Sequence, residues 1–182
     1  MLLPSIGVSV NENTLEFPWT LSFKPTTILQ MLRDIVSCLE HHRLMKLLII
    51  NGHGGNELKT FLRELYRETD VRIILVDWWM AGLQDMETIF DDPGEHGGQM
   101  ETSLMLHLRP DLVEMEQADE GAVRTPSLTG MREGWAWVAR PWDLLTTHSG
   151  VGNPAGSTAE KGAEYIERCS ARISELLVEM AN

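Results

Sequence analysis

The chain has 182 residues, 43% hydrophobic and 23% charged, with a net charge of −12. That length and composition suit one domain with a core of its own. The 15 Lys and Arg residues are scattered rather than clustered, which argues against nucleic acid or a membrane surface as partner.

After a loop-like opening, "KPTTILQMLRDIVSCLEHHR" places Ile28, Leu32, Ile35, Val36 and Leu39 at helical spacing behind a Pro-Thr start. "LMKLLII" is a short apolar run without alternation, the pattern of a parallel strand buried on both faces. "NELKTFLRELYRE" returns to helical spacing through Leu58, Phe61, Leu62 and Leu65, and "VRIILVD" reads as a second buried strand. A loop rich in Asp, Pro and Gly then leads to "QMETSLMLHL", a helix stopped by Arg109-Pro110. "WAWVA" (135–139) alternates and is expected to be a strand. The last segment is a long helix announced by a capping box of Ser157 and Glu160. Alternating strands and helices predict an α/β layered domain with a mainly parallel sheet.

Cys38 and Cys169 lie far apart inside helix-patterned stretches and match no metal spacing, so both are expected to be buried free thiols. No apolar run approaches the ~20 residues of a membrane span, and no signal pattern opens the chain. The expected location is cytoplasmic.

In open α/β sheets, ligands bind beyond the carboxyl ends of the strands. His53 follows the first strand in "NGHGGN", whose glycines, Gly54 included, allow a ligand to approach the backbone. The helix behind it offers unpaired N–H groups to an anion. Asp77-Trp78-Trp79 ends the second strand, with Asp77 read as a helix cap. His96 and Glu101 lie in "GEHGGQMETS", Glu101 on the first turn of a helix. Each has a plain structural explanation: a tight turn for the glycines, a loop hydrogen bond for His53, a comfortable helix dipole for Glu101. His41, His42 and His107 sit in or at the ends of helices and suggest no role, and His148, in a loop, stays open. Taken together, imidazole plus carboxylate is the ligand set of zinc or manganese, with a further histidine available as acid or base. Around an open coordination position such groups activate water and polarise a carbonyl, which points to hydrolysis of an amide or lactam.

"NGHGGN" (51–56), "HGGQMETSLML" (96–106), "SGVGNPAGSTAEKG" (149–162) and the opening "GVSVNENTLEFPWTLS" resemble, in order, the creatininase (creatinine amidohydrolase) family. The resemblance implies a three-layer α/β/α sandwich and a two-metal site that hydrolyses cyclic or linear amides. It also implies a homo-oligomer, often a hexamer. His53 and Glu101 match metal ligands, and His96 matches a histidine that shuttles a proton to the substrate. Trp78 or Trp79 corresponds to a tryptophan lining the substrate pocket, beside Gly54. Trp19 stands where a small residue is usual and is expected to crowd the pocket mouth.

Family members open with a strand and a segment E-x-H-G-x-H-L-P followed by an aspartate, which together supply three more ligands. The sequence begins at "MLLPSIGVSV", past that point, so 1–182 is expected to be a single creatininase-like domain incomplete at its N-terminus. Three readings follow: a metal-dependent amidohydrolase that is weak or inactive as this chain alone, a non-catalytic remnant, and an anion-binding module.

Overall fold

The computed structural model describes residues 1–139 and 141–182. Two parallel strands, β1 (Lys46–Asn51) and β2 (Arg72–Asp77), pair in register from Lys46↔Arg72 to Asn51↔Asp77. Before β1 comes helix α1 (Pro25–His41), and between the strands comes α2 (Leu58–Leu65). Then follow α3 (Leu83–Ile89), α4 (Gln99–Leu108), the single turn α5 (Thr129–Arg132) and the long α6 (Ala159–Ala181). The architecture is the expected α/β one.

Side chains alternate across a strand, so Leu47, Ile49, Ile73 and Leu75 share one face. That face meets Ile28, Leu29, Leu32, Val36 and Leu39 of α1 and Leu58 and Leu65 of α2. These are the positions that the helical spacing singled out, with Leu29 added and Ile35 only partly buried. Each fully buried Leu or Ile contributes about 1.5–3 kcal/mol relative to exposure. The opposite face is not buried as the unbroken apolar runs predicted: Ile50 is 55% exposed. A second cluster joins Ile89 and Phe90 to Met100 and Leu104 of α4 and to Tyr165 and Cys169 of α6. Trp78 and Trp79 pack against it, in a 3-10 turn (Trp78–Gly82) that links β2 to α3.

Three local expectations are corrected. Residues 135–139 form no strand; among the described residues their alternation has no neighbouring strand to pair with, and Trp135 and Trp137 are exposed. The α6 cap is Thr158, whose Oγ1 accepts from Lys161 N at 3.2 Å, while Ser157 Oγ bonds the carbonyls of Gln99 and Pro154. Cys38 is exposed, on the outer side of the α1 stripe, and only Cys169 is buried.

Candidate active site at the strand ends

The parallel register brings Asn51 and Asp77 side by side at the carboxyl ends of β1 and β2. Asn51, 3% exposed, locks the turn that follows. Its Nδ2 donates to Asp77 Oδ1 (2.8 Å), and its Oδ1 accepts from Asn56 Nδ2 (3.0 Å) and His53 N (3.3 Å). Asp77 makes no side-chain cap, contrary to the sequence reading. It is latched by Asn51 and by Lys59 Nζ at 3.0 Å, and the Asn51 hydrogen bond is the main cause of its lowered pKa, followed by Lys59.

This latch holds His53 where the chain leaves the sheet. Its ring lies edge-on to His96, with centroids 5.6 Å apart. Loss of water around the His53 ring lowers its pKa, His96 lowers it further, and the Glu101 carboxylate works the other way. His53 is therefore neutral near pH 7, the form a metal ligand requires. Gly55 N donates to its Nδ1 at 3.0 Å, so the neutral ring keeps its own proton on Nε2. A metal ion taking either nitrogen must displace that proton or that hydrogen bond.

Glu101 opens α4 and reaches back, its Oε2 accepting from Gly97 N at 2.7 Å. The same oxygen lies 4.0 Å from His96 Nδ1. His96 is fixed by an antiparallel bridge to Val151: His96 N to Val151 O at 2.9 Å and Val151 N to His96 O at 2.7 Å. Trp142 stands edge-on to the His96 ring at 5.8 Å and donates from Nε1 to Ser149 O.

The structure thus gathers His53, His96 and Glu101. Trp79 lies against Gly54, where an added Cβ would meet the Trp79 ring at 3.7 Å, and Trp78 Nε1 donates to Gly52 O. Both tryptophans flank the glycine turn. Neither lines the neighbouring cavity of about 250 Å³, which His96 borders together with Thr102, Glu114, Asp119 and His148. Trp19 is 97% exposed and lies outside that cavity. Trp142 and Asp119 escaped the sequence reading. A tryptophan outside any motif is more often core than pocket, and Asp119 carries no motif.

Among the described residues, no group of three His, Cys, Asp or Glu side chains is arranged to hold a metal ion. A catalytic zinc site takes three protein ligands. The donor types fit part of such a site and not a whole one.

Residues 1–177 match the family model of creatinine amidohydrolases. The creatinine amidohydrolase of Pseudomonas putida is 33% identical over 179 residues, which span 90% of this chain and 66% of that protein. The mycofactocin precursor peptide peptidase of Mycobacterium ulcerans is 28% identical over 137 residues, 71% of this chain and 48% of that protein. The chain therefore spans from about half to two thirds of the length of these curated relatives. Among solved structures, a Bacteroides fragilis protein provisionally named a creatinine amidohydrolase superposes with a TM-score of 0.90 at 34% identity, covering all of this chain and 72% of that one. A manganese form of creatininase superposes at 0.71 and 25% identity, over 90% of this chain and 67% of that one. A di-zinc variant of creatininase gives 0.68 with the same identity and coverage. A match across nearly the whole chain, carried by the segments that build the strand-end site, settles the relationship: the chain belongs to the creatininase (creatinine amidohydrolase) family.

Proposed function

We propose that this chain carries the His53–His96–Glu101 side of a metal-dependent amidohydrolase centre, acting on a C–N amide bond in a cyclic amide, a formamide or a peptide-like substrate. The observation that carries the reading is the convergence of a neutral imidazole, a carboxylate and a second imidazole at the carboxyl ends of parallel strands. Relatives with manganese or zinc support a divalent metal as cofactor. His53 and Glu101 would hold it, and a bound metal supplies activated water and a polarised carbonyl. His96, steadied by Val151 and Trp142, would carry a proton to the leaving nitrogen. Gly54 admits the substrate to the backbone, with Trp79 and Trp78 as the adjoining apolar wall.

Two ligands hold a metal weakly. We therefore expect little or no hydrolysis from this chain alone unless donors from another chain complete the centre. Assembly as a homo-oligomer, in keeping with the hexamers implied by the family resemblance, is part of the proposal. It has support in exposed apolar side chains such as Trp137, at 84%. A cytoplasmic setting is also proposed, consistent with two unpaired thiols. Among the described residues, no helix is long and apolar enough to cross a membrane.

The test is metal content per chain by elemental analysis, beside His53→Ala and Glu101→Gln. Bound zinc or manganese that both variants lose supports the centre. Metal retained equally by all three proteins overturns it, and metal absent from all three shows that no other chain completes the centre. Glu101→Gln also separates this reading from anion binding, which would survive the change.

A further inference from the structure

The buried hydroxyl of Thr146 has no part in the centre proposed above, yet the hydrogen bonds it makes lead to His96. The backbone of His96 is tied down on both sides, its N and O bonding Val151 at 2.9 and 2.7 Å. That bridge pins the Cα and leaves the ring free, because the last side-chain torsion of histidine has only broad preferences. Neighbouring rings must therefore orient the imidazole. His53 stands edge-on to it at 5.6 Å and Trp142 at 5.8 Å. His53 is itself a proposed metal ligand, so Trp142 is the neighbour with no chemical task of its own.

Trp142 is held in turn by a loop that closes on itself. Its Nε1 donates to Ser149 O at 2.8 Å. Ser149 has a φ of +67°, in the left-handed region that few residues with a side chain adopt. Such a conformation persists only where the surroundings impose it. Here they act through Thr146, which is 1% exposed. Its Oγ1 accepts from Ser149 N at 3.1 Å and donates to Trp142 O at 3.1 Å, two roles that one hydroxyl fills at once. A single oxygen thus joins both ends of the 142–149 loop. Two residues further on, Val151 makes the His96 bridge, and Gly152 N donates to Gly121 O at 3.1 Å, lacing the loop to its neighbour through glycines. One loop fixes both the backbone and the ring of His96, and the Thr146 hydroxyl closes that loop.

We infer that Thr146 is a positioning residue for His96, acting through Ser149 and Trp142. Without the hydroxyl, Ser149 N loses its partner and its φ relaxes to the ordinary negative range. The Ser149 carbonyl then turns from the indole, and Trp142 is free to leave the His96 ring. The chemical consequence rests on the amidohydrolase reading, in which His96 delivers a proton and must lie within hydrogen-bond reach of its target. The orientation itself does not rest on that reading.

Thr146→Val keeps the shape of threonine without its hydroxyl, whereas Thr146→Ser keeps the hydroxyl without the methyl. Nuclear Overhauser contacts between isotope-labelled histidine and tryptophan rings, recorded at one fixed pH, report the arrangement directly. The parent and Thr146→Ser should show the Trp142–His96 contact, and Thr146→Val should lose it. A Thr146→Val protein that unfolds at a lower temperature but keeps the contact has lost stability alone, and overturns the assignment. Absence of the contact in the parent, or its equal loss in both Thr146 variants, also overturns it. Trp142→Leu tests the other end of the chain independently: it should weaken the His53–His96 ring contact, and an unchanged contact overturns the inference. In any preparation that turns over an amide, Thr146→Val should lower kcat by roughly ten- to a hundredfold with KM little changed, and a change confined to KM overturns it. Absence of turnover bears on the hydrolase reading alone, because the ring contacts need neither metal nor substrate.

Discussion

Gly162, in the first turn of α6, is where α6 crosses α4, and its replacement by alanine sets two effects of opposite sign against each other. Helix propensity alone favours alanine by up to about 1 kcal/mol. Packing opposes it. An added Cβ would stand 2.0 Å from Ser103 O, 2.4 Å from Ser103 C and 2.8 Å from Leu104 N. Nonbonded heavy atoms settle at roughly 3.5–4.0 Å, so the gap is short by more than about 1 Å. The atoms struck are helix backbone, which cannot rotate aside as a flexible side chain would. Relief requires the two helices to part across the face that buries Met100, Leu104, Tyr165 and Cys169. Overpacking of this kind costs about 1–3 kcal/mol and occasionally more, and a backbone collision belongs at the upper end. The net expectation is a loss of about 2 kcal/mol, which for a chain of this size lowers Tm by roughly 4–8 °C. Thermal and urea unfolding followed by circular dichroism would measure it, with Gly52→Ala as control because nothing lies within 4 Å of a Cβ there. A Gly162→Ala protein as stable as the parent, or more so, would refute the packing argument.

Three further substitutions test other parts of the frame. Asn51→Ala removes a buried hub and leaves Asp77 and the 51–56 turn short of partners. It should cost about 1–3 kcal/mol in urea unfolding, and any metal bound through His53 should be released more readily. Tyr165→Phe deletes the hydroxyl that donates to Trp79 O at 2.8 Å inside the second cluster. The expected loss is about 1 kcal/mol, and an unchanged midpoint would show that the carbonyl finds another donor. Asp85, 7% exposed, accepts from Arg172 and Arg168, and these hydrogen bonds, Arg172's the larger, hold its carboxyl below 3.8, its ordinary value. Because its folded-state pKa is the lower one, its contribution is complete above the unfolded value and fades as pH falls through the folded value. Asp85→Asn should therefore be clearly less stable than the parent at pH 7, with the gap narrowing below about pH 3.8. A gap independent of pH would count against this pairing.

The helices and strands were legible because their residues report one-sided burial. Ile28, Leu32, Val36 and Leu39 repeat at helical spacing, and the core they form is the one found. The site was legible in the same way at positions bound to the frame: glycines beside His53 and His96 mark places where the chain must leave a strand or open a helix. What failed depended on neighbours rather than on local pattern. The alternation at 135–139 looks like a strand, but among the described residues no ladder satisfies it. Ser157 and Thr158 are both capping residues, and only the path of the preceding loop decides which oxygen reaches Lys161 N. Exposure of Cys38 depends on which side of α1 meets the sheet, a matter of one helical position. Asp119 and His148 are separated by 29 residues and meet only through the glycine-laced loops, a contact that no spacing rule announces.

The unequal burial of the two cysteines gives the protein a built-in gauge of its own opening. Cys38 meets solvent on the native surface, whereas Cys169 is 1% exposed beneath the Trp78–Gly82 turn, and burial raises the pKa of its thiol. Since the thiolate is the reactive form, a thiol reagent should modify Cys38 at once and reach Cys169 only when α6 lifts away. Two modification rates in one tube would then read solvent access and the detachment of α6 separately. No dye, tag or engineered residue is needed to follow the half of the molecule that carries Glu101.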